Sequence, residues 1–125
     1  KSDIISLHTP QSNETVNFID ANFIAKCQKQ IYIINTARGK SLNTKDVLDA
    51  IDSGKVLGAC LDVLEFESSS FEEFSTENQT LKRLLASPKV LLSPHIAGWT
   101  HESQFKMANV LVHKIIEAFY PKKLS

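Results

Sequence analysis

Two residues of this 125-residue sequence, Arg38 and His95, are of types that bind carboxylates or move protons. Arg38 follows an apolar run and precedes Gly39, which lets the backbone turn and approach a ligand closely. An arginine guanidinium binds a carboxylate through two parallel hydrogen bonds, which fixes both position and orientation. An imidazole such as that of His95 takes or gives a proton near neutral pH. Each residue also has a structural interpretation, a salt bridge for the arginine and a packed side chain for the histidine.

Two glutamates, Glu65 and Glu67, follow Asp62 in an acidic, serine-rich segment, and either could partner the histidine. A carboxylate hydrogen-bonded to an imidazole holds its tautomer and favours its protonated form. Spacing alone does not choose between the two, and we expect Glu65 to be a solvated loop acid. In this interpretation Arg38 binds the carboxylate of a 2-hydroxy acid. His95 takes the hydroxyl proton as hydride leaves C2. That hydride needs an acceptor such as a nicotinamide nucleotide.

The elements that must position these residues alternate between short apolar runs and longer amphipathic stretches. Four runs are nearly continuous in Ile, Val or Leu, as buried parallel strands are, namely residues 4–7, 31–35, 56–61 and 90–93. Helices are predicted at residues 20–27, 43–54, 80–86 and 102–119. We expect one side of the last helix to meet a core or a neighbouring domain. The repetition predicts an α/β fold, a partial Rossmann-type, doubly wound parallel sheet.

Polar or conformationally special residues follow each predicted strand directly. Ligands of open α/β sheets bind outside the carboxyl ends of the strands, and parallel strands bring those ends to one edge. The four groups are His8-Thr9-Pro10, Thr36-Ala37-Arg38-Gly39, Asp62 and Pro94-His95-Ile96-Ala97-Gly98. Any one group has an ordinary structural explanation, but four at one edge predict a ligand site.

Composition and charge argue against several other classes of function. Lys and Arg number 14 and Asp and Glu also number 14, so no excess of cations is present to bind nucleic acid. No apolar run approaches the ~20 residues that span a bilayer, and the start does not resemble a signal peptide, so no membrane partner is expected. Cys27 and Cys60 lie among apolar neighbours without CxxC spacing, which predicts buried free thiols in a reducing compartment, the cytoplasm. No metal site is expected.

Four ordered motifs resemble those of the NAD-dependent D-2-hydroxyacid dehydrogenases. That family includes D-3-phosphoglycerate, D-lactate and formate dehydrogenases and the C-terminal-binding-protein corepressors. The motifs are DIISLHTP from Asp3, NTARG from Asn35, SGKVLGACLDV from Ser53 and SPHIAG from Ser93, and the resemblance covers nearly the whole chain. By this resemblance Arg38 matches the arginine that binds the substrate carboxylate. His95 matches the catalytic acid–base, and Glu67 matches the glutamate that pairs with it.

The resemblance also implies a set of cofactor contacts: His8, Thr9, Pro10, Thr36, Ala37, Arg38, Asp62, His95, Ala97 and Gly98. Within this set, Asp62 and Gly98 match positions at the nicotinamide end, and the residues from His8 to Pro10 match the lining of the nucleotide cleft. The implied cofactor is NAD, with NADP as the alternative. The implied partners are a small 2-hydroxy or 2-keto acid and a second copy of the protein in a homodimer.

The sequence departs from the family pattern at three places. Ser68 follows Glu67 where proline is common, and Trp99 follows Gly98 where other residues are frequent. The chain has 4 glycines, and their spacing does not match a GxGxxG phosphate loop. We therefore expect a C-terminal fragment that lacks the GxGxxG half and the substrate domain, and that is inactive by itself.

These expectations define a domain organisation and a function. Residues 1–119 are expected to be the later portion of the NAD-binding domain, including an exit helix at about 101–119, and residues 120–125 a tail. The full-length protein is expected to be an oxidoreductase that transfers a hydride between a nicotinamide cofactor and a D-2-hydroxy or 2-keto acid, with 3-phosphoglycerate one candidate. The alternative is a nicotinamide-sensing corepressor or scaffold of the same fold.

Overall fold

The computed structural model describes residues 2–66 and 78–120, in which strands and helices alternate. The strands are β1 Ile4–Leu7, β2 Ile31–Asn35, β3 Val56–Leu61 and β4 Val90–Leu92. The α-helices are α1 Ala21–Lys26, α2 Thr44–Asp52, α3 Gln79–Ala86 and α4 His101–Phe119, and a short 3-10 turn covers Gly39–Ser41. Three predicted strands are confirmed to the residue, β4 ends one residue early, and the helices agree to within one or two residues.

The strands form one parallel sheet in the order β1-β2-β3-β4. Their register places Leu7, Asn35, Leu61 and Leu92 side by side at the carboxyl ends, and we call these four residues the carboxyl row. The predicted fold class, α/β with a Rossmann-type parallel sheet, is confirmed. The strands lie in the sheet in the same order as in the sequence, as they do in one half of a doubly wound sheet.

Capping side chains begin the helices where the sequence predicts. The Asp20 carboxylate accepts a hydrogen bond from the Phe23 amide at 2.7 Å and caps α1. The Asn43 side chain accepts from the Asp46 amide at 3.0 Å and caps α2. Both bonds satisfy helical N–H groups that have no partner within the helix. Gly54 follows α2 with φ +77°, a left-handed conformation that glycine adopts without steric cost.

The core lies between the helices and one face of the sheet. Ile33 of β2 and Val56 of β3 are fully buried, as are Val47 of α2 and, to within 1%, Leu84 of α3. Burying such a side chain contributes about 1.5–3 kcal/mol, so this layer supplies most of the stabilisation of the described sheet. The opposite face is open in the described residues, with Leu91 64% exposed.

Cys60 lies on that open face, so its predicted burial is wrong. It pairs in register with Ile34 and Leu91, and side chains of one register row share a face of the sheet. A continuous apolar run predicts a strand covered on both faces, whereas among the described residues Cys60 and Leu91 are exposed. Cys27, at the end of α1, is half-buried. Both thiols are free, as predicted.

Ion pairs join α3 to α2 on the outer surface. The Arg83 guanidinium lies 2.8 Å from an Asp49 oxygen and 2.9 Å from an Asp52 oxygen, and Lys45 lies 2.6 Å from Asp49. Hydrogen bonds from Lys45 and Arg83 hold the pKa of Asp49 below its usual range. Because these side chains are exposed, the pairs add little to stability beside the apolar core.

The chain divides into two compact units at the bond between His95 and Ile96. The second unit contains α4, which begins with a capping box between Thr100 and Ser103. Its apolar residues are exposed, including Phe105 at 71%. The prediction that one side of this helix meets a core or a neighbouring domain stays a prediction. Among the described helices, none has both the length and the apolar character that crossing a membrane requires.

Candidate functional site

The candidate site lies at the edge of the sheet just beyond the carboxyl row. The residues that follow the four members of this row are His8, Thr36, Asp62 and Ser93, and all four are polar. The parallel register therefore brings the loops after all four strands to one edge, as the sequence predicts. This edge is where open α/β sheets bind ligands.

Asn35 is the polar member of the carboxyl row, and its side chain is completely buried. Its Oδ1 accepts a hydrogen bond from the Ala37 amide at 3.0 Å, and its Nδ2 donates to the Arg38 carbonyl at 2.9 Å. Both ends of the buried amide are thereby satisfied, as burial of a polar group requires. The turn fixes the backbone of Arg38 directly after β2.

Arg38 presents an exposed guanidinium at this edge. Its Nη1 donates to the carbonyl of Ala37 at 2.7 Å, which folds the side chain back over its own turn. Within residues 2–66 and 78–120 no carboxylate forms an ion pair with Arg38, so the salt-bridge interpretation has no support there. An exposed guanidinium on a fixed backbone is suited to binding the carboxylate of a ligand.

Asp62 connects the turn after β2 to His95. The Asp62 amide donates to the Asn35 carbonyl at 2.9 Å, and the His95 amide donates to the Asp62 carbonyl at 2.9 Å. One set of hydrogen bonds therefore runs from Arg38 through Asn35 and Asp62 to His95. We call it the Asn35–Asp62 link.

His95 has an unusual backbone conformation. Its φ of +56° lies in the left-handed region, which residues with a side chain seldom occupy. Its amide donates to the carbonyls of both Asp62 and Ser93, and these bonds hold the conformation in place. Strained positions of this kind cluster at functional sites, which supports a role for the exposed imidazole beyond packing.

Gly39 packs directly against the segment that leads to Glu67. A Cβ at this position would lie 1.9 Å from the Leu64 carbonyl oxygen, so no larger residue fits without a shift of the backbone. Glu65 is half-buried, and its Oε2 accepts a hydrogen bond from the Thr44 amide at 3.4 Å, at the beginning of α2. Glu67, the predicted partner of the histidine, lies outside the described residues.

The prediction that Glu65 is a solvated loop acid is therefore wrong. Helix α2 leaves N–H groups unpaired in its first turn, and the helix dipole favours a negative charge there. Both effects draw the Glu65 carboxylate to Thr44. Spacing along the chain does not reveal this contact, because residue 65 reaches α2 only through the folding of β3 beside β2.

The predicted cofactor residues after β1 form an exposed loop. The His8 Nε2 and the Ser6 Oγ share a hydrogen bond of 2.8 Å, which orients the imidazole. Thr9 and Pro10 are exposed. The Thr15 hydroxyl donates to the Pro10 carbonyl at 2.8 Å, so the loop is closed by its own side chains.

The remaining predicted cofactor residues differ in exposure. Thr36 is half-buried, whereas Ala37 is buried and points its methyl group into the core. Ala97 and Gly98 are exposed and belong to the second unit. No group of three metal-ligating side chains occurs in the described part of the chain.

Two residues of the site had no role in the sequence prediction, Asn35 and Ser93. Asn35 carries a recognisable signal, since it follows Ile31 and Ile33 at every second position and so faces the core with them. A buried amide must find partners nearby, which predicts a structured turn. Ser93 was predicted to end the last strand, and nothing in its neighbourhood signals the bond it makes with Asp62.

Comparisons with known proteins agree on one family. The family described as "D-isomer specific 2-hydroxyacid dehydrogenase, NAD binding domain" matches residues 1–97. A D-lactate dehydrogenase of Treponema pallidum is 37% identical over 103 residues, which are 79% of this chain and 31% of that protein. An aromatic 2-oxoacid reductase of Clostridium sporogenes is 31% identical over 121 residues, which are 94% of this chain and 37% of that protein.

A solved structure shows the same arrangement. The NAD-complexed form of a D-isomer specific 2-hydroxyacid dehydrogenase from Lactobacillus delbrueckii ssp. bulgaricus superposes with a TM-score of 0.77 at 30% identity. The match covers 94% of this chain and 37% of that one. The chain therefore spans about a third of the length of the relatives it matches.

The close approach of Gly39 to Leu64 generates a test. Gly39→Ala in the full-length protein is expected to lower the free energy of unfolding by about 2 kcal/mol, because the added methyl overlaps backbone atoms. Gly98→Ala is the matched control, since a Cβ there meets no atom within 4 Å. Urea denaturation followed by circular dichroism measures both variants. Equal stability of the two would contradict the packing of Gly39 on Leu64.

Proposed function

Since the chain belongs to the family of D-isomer specific 2-hydroxyacid dehydrogenases, as part of their NAD-binding domain, we propose that the full-length protein is an NAD-dependent oxidoreductase. It transfers a hydride between NAD and a small D-2-hydroxy acid or its 2-keto acid. The observation that carries the proposal is the Asn35–Asp62 link, which attaches an exposed arginine and an exposed histidine to the same edge of the sheet.

The proposed chemistry divides between binding and proton transfer. Arg38 binds the substrate carboxylate and orients the molecule, which lowers the entropic part of the barrier. In oxidation His95 takes the hydroxyl proton as the hydride leaves C2, and in reduction its protonated form donates to the keto oxygen. When bound, NAD supplies the hydride acceptor and NADH the hydride donor. Glu67 stabilises the imidazolium form of His95.

The proposed contacts with the dinucleotide are those that the family resemblance implies. The exposed loop His8-Thr9-Pro10 lines the cleft, and Thr36, Ala37 and Arg38 follow the neighbouring strand. Asp62, with its carboxylate at the end of β3, contacts the nicotinamide end, and Ala97 and Gly98 follow His95 along the chain. NADP is the alternative cofactor, because the residue that binds the adenosine ribose follows the GxGxxG motif, which these 125 residues do not contain.

The names of the relatives support the proposed substrate class. A D-lactate dehydrogenase and an aromatic 2-oxoacid reductase favour a monocarboxylic 2-keto acid, whose single carboxylate Arg38 can clamp. A more specific candidate, on the 2-hydroxy acid side of the reaction, is 3-phosphoglycerate. No contact among the described residues favours the alternative function, a nicotinamide-sensing corepressor or scaffold. Steady-state assays with a panel of 2-keto acids and with NADH or NADPH separate these possibilities, since a scaffold binds cofactor without turnover.

The same proposal extends to domain organisation and setting. Residues 1–119 form the later portion of the NAD-binding domain with an exit helix at about 101–119, and residues 120–125 form a tail. Residues 1–125 alone show no turnover, because no GxGxxG motif is among them to hold the pyrophosphate. The full-length protein is a homodimer in the cytoplasm, a reducing compartment in which the free thiols of Cys27 and Cys60 persist.

Substitution of the two proposed site residues separates their roles. Arg38→Gln is expected to raise KM for the 2-keto acid about 100-fold, because a charged, bidentate contact is lost. His95→Asn is expected to lower kcat about 10²–10⁴-fold with a smaller change in KM, because proton transfer is lost. Both are measured by NADH oxidation with the full-length protein. Either variant with wild-type kcat/KM would refute the assigned role.

The two glutamates form a matched pair for a second test. Glu67→Gln is expected to move the decline of the reduction rate to lower pH, because the protonated imidazole loses a neighbouring negative charge. Glu65→Gln is expected to leave the pH profile unchanged and to lower stability by about 0.3–1 kcal/mol, because only the contact with α2 is weakened. The profile of kcat against pH decides, and a shift seen only in Glu65→Gln would contradict the assignment of Glu67.

A further inference from the structure

The exposed loop from His8 to Pro10 is followed by a turn that the half-buried Thr15 side chain closes. The Thr15 Oγ1 accepts a hydrogen bond from the Ser12 amide at 2.7 Å and donates to the Pro10 carbonyl at 2.8 Å. The Ser12 carbonyl lies farther from the same hydroxyl, at 3.2 Å, so the Pro10 carbonyl is the better acceptor. Thr15 therefore joins the end of the loop to the turn, and the mechanism proposed above makes no use of it.

This turn is anchored to the segment that follows β2. The Asn17 amide donates to the Lys40 carbonyl at 2.8 Å. The Ile19 amide donates to the Ser41 carbonyl at 3.1 Å, and the Ile19 side chain is completely buried. Asn17 has a φ of +52°, in the left-handed region that asparagine occupies more often than most residues do. Because the Ser41 amide donates to the Arg38 carbonyl at 3.1 Å, hydrogen bonds connect this anchor to the turn of Arg38.

We propose that Thr15 is a positioning residue that holds the loop from His8 to Pro10 in the conformation that receives the dinucleotide. The inference rests on the proposed function, in which this loop lines the nucleotide cleft. His8, Thr9 and Pro10 are exposed, so packing in the core does little to fix them. Ser6 holds the loop at its beginning through His8, and Thr15 holds it at its end through Pro10.

Loss of the Thr15 hydroxyl is expected to affect the binding of the cofactor and not the chemical step. Without this bond the loop takes several conformations, and the apparent dissociation constant rises in inverse proportion to the fraction of molecules that can bind NADH. At saturating NADH the cofactor holds the loop, and the Asn35–Asp62 link, which does not include Thr15, still holds Arg38 and His95. The value of kcat therefore stays near that of the wild type. A residue that only stabilised the fold would change neither constant in the folded protein.

The experiment compares Thr15→Val and Thr15→Ser in the full-length protein, with the dissociation constant for NADH from calorimetric titration and kcat measured at saturating NADH. Thr15→Val removes the hydroxyl and is expected to weaken NADH binding about tenfold, with kcat within about twofold of the wild type. Thr15→Ser keeps the hydroxyl and is expected to bind NADH within about twofold of the wild type. Ser53→Ala is the matched control, because its hydroxyl also donates to a carbonyl, that of Ala50 at 3.1 Å, but just after α2 and before β3. It lies at the opposite end of the strands from the loop, and both constants are expected to stay within about twofold.

The other outcomes are distinguishable. Unchanged NADH binding by Thr15→Val, or equal weakening by Thr15→Val and Thr15→Ser, overturns the role of Thr15 while leaving the proposed function in place. Equal weakening by Ser53→Ala also overturns it, because the effect is then one of general stability. If circular dichroism shows that Thr15→Val does not fold, Asn17→Val replaces it, since a β-branched residue opposes the left-handed backbone of the anchor. NADH binding at the wild-type level by that variant then overturns the inference. A wild-type protein that does not bind NADH overturns both this inference and the proposed function.

Discussion

A buried side-chain amide that must satisfy all of its polar groups holds the carboxyl edge of this sheet together. Leaving such a group unpaired in the core costs about 1–3 kcal/mol, so Asn35 closes the turn that contains Arg38. The same residue offers its backbone carbonyl to Asp62, and Asp62 offers its own carbonyl to His95. Two residues that are far apart in sequence are thereby attached to one buried point, and the apolar core beneath fixes that point.

Departures from ordinary local structure concentrate at the same edge. His95 has a left-handed backbone, Gly39 lies closer to Leu64 than any side chain would permit, and Asp62 buries a carboxylate. Proteins accept such features at functional sites because the surrounding structure compensates for them. Here the compensation is visible as hydrogen bonds from Asn35 and within the loop after β4. These hydrogen bonds fix the backbone of the turn after β2 and of His95.

Periodicity was sufficient to predict the strands and helices, because each strand has a continuous apolar run and each helix a capping residue. It could not predict which face of β3 is covered, and so the exposure of Cys60 was missed. Periodicity also could not predict contacts between residues that are far apart in sequence. Glu65 reaches α2, and Ser93 reaches Asp62, only because the strands pair. Glu67 was chosen by family resemblance, because the spacing along the chain did not distinguish it from Glu65.

The Asn35 side-chain amide holds the turn that contains Arg38, and Asn35→Ala in the full-length protein tests this most directly. We predict that KM for the 2-keto acid rises about tenfold at temperatures well below unfolding, whereas kcat changes less, because the backbone carbonyl that accepts from Asp62 is kept. Thr44→Val is the control, because its buried hydroxyl has no partner among the described residues, and both constants should stay within about twofold. An Asn35→Ala protein that is less stable yet retains wild-type KM would contradict this role of Asn35.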